Sequence, residues 1–306
     1  MQPSLPADAG HVEVPACDTP PAAEVAADGV APEVAPADPP VYDPAGFWES
    51  RLRHHFDMIG VGYSRLGLPF NLALYRQRLV VIGRTIRRFR IKVAGADLIE
   101  LGPGTGYFID HWKHLGIGSL VGLDITAVVT ERLTEKYPEY RFFEADASER
   151  WPLPDASADI VTAFDILFHI TDDERFAAAI REAGRVTRPG GLLLVSDLFL
   201  HGQPFRGFHQ ASRTLADYQA CLAEAGFEVL GRMPIFVTMH PALDLPPGPL
   251  SRLANDWWSR TEQRLMDEPK RGYRLGRVLG WIDRIVTKVC WGGPSTELLI
   301  ARRRTG

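Results

Sequence analysis

The stretch Asp97–Phe108, "DLIELGPGTGYF", is an apolar run that breaks into glycine at every second position, Gly102, Gly104 and Gly106. Leu98, Ile99 and Leu101 predict a short buried strand. The glycines can take positive φ and carry no Cβ, so the backbone here is suited to close approach by a ligand. A helix is expected from about Tyr107 to Leu115. The spacing is GxGxG, with Tyr107 where GxGxxG continues. Glu100 stands at the strand end, where a fixed carboxylate would repel the pyrophosphate that a helix N-terminus attracts. A cationic ligand fits better than a dinucleotide, although such a loop read alone could be only a tight strand-to-helix connection.

The residues that follow decide between these. "SLVGLDIT" reads as a second buried strand ending at Asp124, about 20 residues past the glycine loop, the spacing at which a carboxylate accepts both hydroxyls of an adenosine ribose. Asp124 and Thr126 would also serve as helix N-caps. "YRFFEADASE" reads as a third strand ending at Glu144 to Asp146, whose carboxylate could accept from an adenine amine. Strand and Gly loop, strand and Asp, strand and Asp together make a nucleoside site on adjacent strand ends. A fourth strand, "ADIVTAFDILFHI", is followed by a helix from about Asp172 to Val186 that stops at "RPGG" before the strand "LLLVSDLF".

From Asp97 to about Leu230 the sequence resembles the class I S-adenosylmethionine-dependent methyltransferases, in the ELGPGTG loop, the strand ending at Asp124, FDILFHI, AIREAGRVTRPGGLLLVSD and CLAEAGFEVL. The resemblance implies an α/β, doubly wound, mostly parallel seven-stranded sheet of Rossmann-like type and S-adenosyl-L-methionine as cofactor. It assigns the methionine end to Glu100, Gly102, Gly104 and Gly106, the ribose to Asp124, and adenine to Asp146 with Ala147. Phe164 and Asp165 are expected to border the methionine moiety.

Five segments follow: an Ala/Pro-rich acidic tail (1–43) expected to be disordered, a helical arm (44–93), the core (94–233), a helical cap insertion (234–294), and a closing strand with the C-terminal tail (295–306). The tail contains no Lys or Arg, whereas Arg51, Arg53, Arg65, Arg76, Arg78, Arg84, Arg87, Arg88 and Arg90 crowd the arm, where the tail could compete with an anionic partner. Similar family members cover the cofactor and shape the acceptor pocket with such an arm, and Trp48, Tyr63, Asn71 and Tyr75 are the candidates to point inward. The insertion holds two amphipathic stretches, about Ser251 to Met266 and Arg274 to Val289. It reads as a cap near the substrate side, with a dimer face or a membrane-surface helix as alternatives, because Trp281, Ile282, Ile285 and Val289 alternate with Arg284 and Lys288.

A chain of 306 residues with 45% hydrophobic content can bury a real core, and a net charge of −4 gives no global pull toward nucleic acid. Cys17, Cys221 and Cys290 lie far apart without metal-ligand spacing, which points to a reducing compartment and no metal. With neither a transmembrane-length apolar run nor a secretory start, a cytoplasmic location is expected.

Methyl transfer from a sulfonium needs chiefly a nucleophile held in line in a dry pocket, and a base only if the acceptor must lose a proton. His169 after the fourth strand and His209 in "GFHQASRT" are the base candidates, with His201 less well placed. Arg206, Arg213 and Arg232 would be available to an anionic group on the acceptor. The missing Asn-Pro-Pro-Tyr-type tetrad disfavours nucleic-acid amines, and Asp165 with Asp197 does not make a catechol-type metal set. The expected function is methylation of a small molecule, most readily at a hydroxyl oxygen. A non-catalytic S-adenosylmethionine-binding scaffold and an NAD-dependent oxidoreductase are the alternatives; the oligomeric state is left open.

Overall fold

The computed structural model describes residues 42–290 and 292–305, so all but the last two residues of the expected tail lie outside the described residues. The arm comprises α1 (Pro44–His54), a 3-10 turn (Ser64–Leu66) and α2 (Gly67–Arg88). The core runs β1 (Asp97–Leu101), α3 (Tyr107–His114), β2 (Ser119–Asp124), α4 (Ala127–Lys136), β3 (Arg141–Glu144), β4 (Ala158–Phe164), α5 (Asp173–Val186) and β5 (Thr187–Asp197). After the short hairpin β6 (Phe205–Arg206) and β7 (Ala211–Ser212) come α6 (Leu215–Glu224), β8 (Phe227–Pro234), α7 (Pro249–Asp267), α8 (Gly272–Val286) and β9 (Glu297–Arg303).

Seven strands form one sheet in the order β3-β2-β1-β4-β5-β9-β8, parallel from β3 through β5, with β9 antiparallel to both neighbours. The central strands are buried on both faces, hence their near-continuous apolar character. Within that run the period of two still sorts side chains. Leu98, Leu120, Ile160, Leu194 and Ile300 join the layer containing the arm, α3, α4 and the cap, whereas Ile99, Leu123, Val161, Val195 and Leu299 face α5 and α6.

The sequence reading begins the fifth strand after "RPGG", at Leu192, and here the structure differs. β5 begins at Thr187 and runs through those residues, paired to Ala158 at Thr187 and next to Ile160 at Leu192. The intervening residues form a bulge with Gly190 at φ +80°, so proline and glycines that end a helix are carried at the bulged start of a strand.

The cap rests on the arm. α8 packs along α2 so closely that a Cβ on Gly276 would lie 2.5 Å from that of Ala73. Asp283, fully buried in α8, accepts from the backbone N–H groups of Val237 (3.1 Å), Thr238 (2.8 Å) and Met239 (3.3 Å), which fixes the chain leaving β8. Arm and helical insertion are thereby packed against each other.

Candidate active site

Gly102, Gly104 and Gly106 all adopt positive φ, +59°, +52° and +76°, the left-handed region that an L side chain enters at about 1–2 kcal/mol. The turn is closed by Gly106 N–H donating to Pro103 O (2.8 Å) and by Gly104 N–H reaching Asp124 Oδ2 (3.4 Å). A Cβ on Gly104 would sit 2.9 Å from Val61 of the arm. Val61 is held there by the arm's own polar groups: Arg51, buried, donates to Gly60 O (2.6 Å) and Ile59 O (3.0 Å), and Tyr75 Oη donates to Val61 O (3.2 Å). Asn71 pairs with both backbone groups of Tyr63 at 2.9 and 2.7 Å, so it shapes the arm's loop.

A cavity opens over this turn. It is lined by Gly102, Gly104, Asp124, Asp146, Ala147, Phe164 and Asp165 from the strand ends, and by Trp48, Val61 and Tyr75 from the arm. His169, Asp172 and Arg175 complete one side. Asp124 is buried, and burial pushes its carboxyl up to about 6 despite bonds from Thr126 N (3.1 Å) and Oγ1 (2.8 Å). Asp146 is already engaged by Ser148 N (2.8 Å) and by the Arg175 guanidinium. Asp165 takes φ +55°; its N–H donates to Ser196 O (3.1 Å), and its Oδ2 lies 2.5 Å from Arg78 Nε.

Glu100 does not line this cavity. It is 1% exposed beneath α3, with the Trp112 indole as its polar neighbour, and Oε2 has no hydrogen-bond partner among the described residues. Burial pushes its carboxyl up to about 8, so it is largely protonated at neutral pH. A strand-end carboxylate read as facing a ligand thus points into the layer below it. Gly106 is also absent from the lining; its Cβ position is met by Leu133 and Tyr137.

A second cavity adjoins the first, and Val61, Tyr75, Asp165 and His169 line both. Its remaining wall includes Tyr63, Asn71, Arg78, Asp197, Gln210 and His240. All four arm residues singled out in the sequence therefore line one or both cavities. His169 donates from Nδ1 to His209 O (3.0 Å), which fixes the tautomer and leaves Nε2 the acceptor, with no protein partner among the described residues. Trp48 packs edge-on at 4.8 Å and the His209 ring stacks at 5.7 Å, and burial pulls the His169 ring down to about 3, so it is neutral.

His209 lines neither cavity: it is buried between Phe47, Tyr42 and His169, and its carbonyl is what reaches His169. His201 is an exposed ring paired with Asp244 at 2.6 Å. The three arginines read as free for an anionic acceptor are committed. Arg206 and Arg213 both bind Asp173, with Arg213 also donating to Ile170 O (2.8 Å), and Arg232 pairs with Glu297.

Sequence reasoning missed Arg78, Asp197 and His240. Arg78 lies between the Tyr75 and Phe236 rings at 5.0 and 4.8 Å, and Nη1 has no hydrogen-bond partner among the described residues. Asp197 accepts from Tyr218 and is pushed by burial up to about 7. His240 bonds to Tyr63 and has Ser295 Oγ 2.5 Å from Nδ1. Arg78 and His240 come from segments about 160 residues apart, and no local motif marks them.

The family model described as a methyltransferase domain matches residues 99–195, the span from β1 to β5 that builds the first cavity. A probable S-adenosylmethionine-dependent methyltransferase of Mycolicibacterium smegmatis is 33% identical over 168 residues, covering 53% of this chain and 62% of that protein. A malonyl-[acyl-carrier protein] O-methyltransferase of Serratia marcescens is 30% identical over 140 residues, covering 46% of this chain and 52% of that one. The chain thus spans less than two thirds of the length of these curated relatives. Among solved structures, the [4+2]-cyclase SpnF superposes with a TM-score of 0.51 at 19% identity, covering 75% of this chain and 81% of that one, a likeness of fold. Taken with the strand order and the glycine turn facing Asp124, these matches identify a methyltransferase domain over residues 99–195 and make the chain similar to S-adenosylmethionine-dependent methyltransferases.

Proposed function

We propose that this chain methylates a hydroxyl oxygen of a small-molecule acceptor held in the second cavity, using S-adenosylmethionine held in the first. The observation that carries this reading is His169, whose ring borders both cavities with its tautomer fixed and Nε2 open. The lining of the first cavity fits the cofactor: Asp124, Asp146, Asp165 and Asp172 face it, against the guanidinium of Arg175 and that of Arg78, which pairs with Asp165 from the adjoining cavity. That balance favours a sulfonium cation over the pyrophosphate of NAD. Asp124, with Ala147 and Asp146 on the next strand end, is where the nucleoside would be held.

What S-adenosylmethionine supplies is an electrophilic methyl on sulfur; the chain's task is to place the acceptor and keep water out. Trp48, Val61 and Tyr75 close the site from the arm. His169 Nε2 accepts the acceptor's hydroxyl hydrogen and aligns the oxygen, while the His209 carbonyl keeps the ring from turning. His209 is thus a positioning residue. Tyr63, Arg78, Gln210 and His240 give the acceptor chamber a polar wall, which supports an acceptor bearing several polar groups.

Isothermal titration with S-adenosylmethionine, S-adenosylhomocysteine and NAD in parallel tests the cofactor half. The first two bind and NAD does not; binding of NAD alone would sink the reading, and binding of none would favour a scaffold. Asp124→Ala weakens S-adenosylhomocysteine by about 1–3 kcal/mol without loss of fold. Because the ionised carboxylate is the better acceptor, wild-type affinity is constant above pH 7 and falls as pH drops through about 6. A Kd that is flat from pH 5 to 8 would remove Asp124 from the ribose site.

A further inference from the structure

The outer face of α8 is unlike the rest of the surface. Gly272, Gly276, Leu279, Asp283 and Thr287 turn inward, and Arg84 of α2 clamps the C-terminal end by donating to Thr287 Oγ1 at 2.9 Å and to Arg284 O at 2.5 Å. The opposite face is held rigidly outward. It presents Val278, Trp281 (64% exposed) and Ile285 at helical spacing, and Val289 (71% exposed) extends this apolar stripe in the turn that follows the helix. Arg274, Arg277, Arg284 and Lys288 flank it, all exposed and none in an ion pair among the described residues. The one acid between positions 272 and 289, Asp283, is fully buried under the helix. Within a chain of net charge −4, residues 272–289 therefore carry four exposed cations and no exposed carboxylate beside the apolar ridge.

We propose that this face docks on an anionic lipid surface, with α8 lying in the plane of the interface. The stripe supplies apolar side chains to the headgroup–acyl boundary, the tryptophan suits that depth, and the cations meet lipid phosphates. Charge complementarity selects this occupant over a second copy of the chain. A two-fold dimer places the same patch on both sides, which would set these four cations against four more. No helix of the described residues is long and apolar enough to cross a membrane. Docking would also orient the site, since Asp283 on the inner side of α8 holds residues 237–239, directly before His240 in the wall of the second cavity. The proposal does not depend on methyl transfer.

The test is co-sedimentation of the full chain with phosphatidylcholine vesicles and with vesicles mixing phosphatidylcholine and phosphatidylglycerol. Binding to the anionic vesicles only, weakened severalfold by 0.5 M NaCl, is the expected result. Two double variants separate the forces: Trp281→Ser with Val289→Ser removes the ridge, and Arg277→Glu with Arg284→Glu reverses charge. Each lowers vesicle binding at least about tenfold with the melting temperature unchanged, because all four side chains are exposed. No binding to anionic vesicles, equal binding to neutral ones, or binding insensitive to both variants would overturn the proposal. So would concentration-dependent dimerisation of the wild type abolished by the Trp281 and Val289 changes, which would assign the face to a second copy.

Discussion

His169→Ala is expected to lower methyl transfer by about 10²–10⁴-fold at saturating cofactor, with S-adenosylhomocysteine affinity changed less than tenfold. The loss follows from the ring's position: it lines both cavities, its Nδ1–H is committed to His209 O, and Nε2 is the atom left to meet an acceptor. His209→Ala keeps the backbone carbonyl and removes only the stacked ring, so its effect stays below about tenfold. Burial holds the His169 ring near 3, and the wild-type rate therefore shows no acid limb near the ordinary imidazole value of 6.5. A His169→Gln variant separates two contributions, since its amide can still accept a hydrogen bond but cannot take a proton; partial rescue relative to Ala assigns the larger share to alignment. Turnover of His169→Ala within threefold of wild type would take the residue out of the reaction. The buried carboxyl of Asp197, pushed up to about 7 on the same cavity wall, would then be the next base to replace, by Asn.

Glu100→Gln should have the largest effect on stability, and its sign depends on pH. The carboxyl titrates near 4.5 when unfolded and near 8 when buried, so between those values the native state holds a proton that the unfolded state has lost. Stability from this group is complete below about pH 4.5 and is lost as pH rises toward 8, with a limiting slope of about 1.4 kcal/mol per pH unit. Glutamine copies the protonated shape without the proton, and the variant should outlast wild type at pH 8 by an amount on the order of a few kcal/mol. Asp124 and Asp197 bend both curves in the same direction, and the neutral His169 and His240 bend them the opposite way below pH 6.5. Only the difference between variant and wild type isolates Glu100. Parallel melting curves from pH 5 to 9 would show that the native carboxyl is ionised, and would require a partner for Oε2.

Local sequence was enough for the turn and the sheet around it. Alternating glycines after Leu101 can be satisfied by few backbones, and their positive φ values follow from the side chains they lack. The carboxylate of Asp124 reaches that turn because two parallel strands, each followed by a helix, must end side by side. Periodicity likewise located α5 and both cap helices to within a few residues. Glu100 was legible as a residue but not as an orientation, because a strand buried on both faces gives no polar side to aim toward.

What only the tertiary structure decided is the second cavity. Arg78, His169, Asp197 and His240 lie on four separate segments, and each ring or charge acquires its environment from neighbours distant in the chain. His169 and His209 looked equivalent as titratable rings near strand ends. Packing of the hairpin against the arm turned one toward the cavities and left the other behind it, offering only a carbonyl. Sequence pattern governs interactions within a turn or along a strand, so the strand-end lining of the first cavity could be read from it, apart from the orientation of Glu100 and Gly106. The second cavity is made by long-range contacts among the arm, the core and the segment that follows β8, and those exist only once the chain has folded.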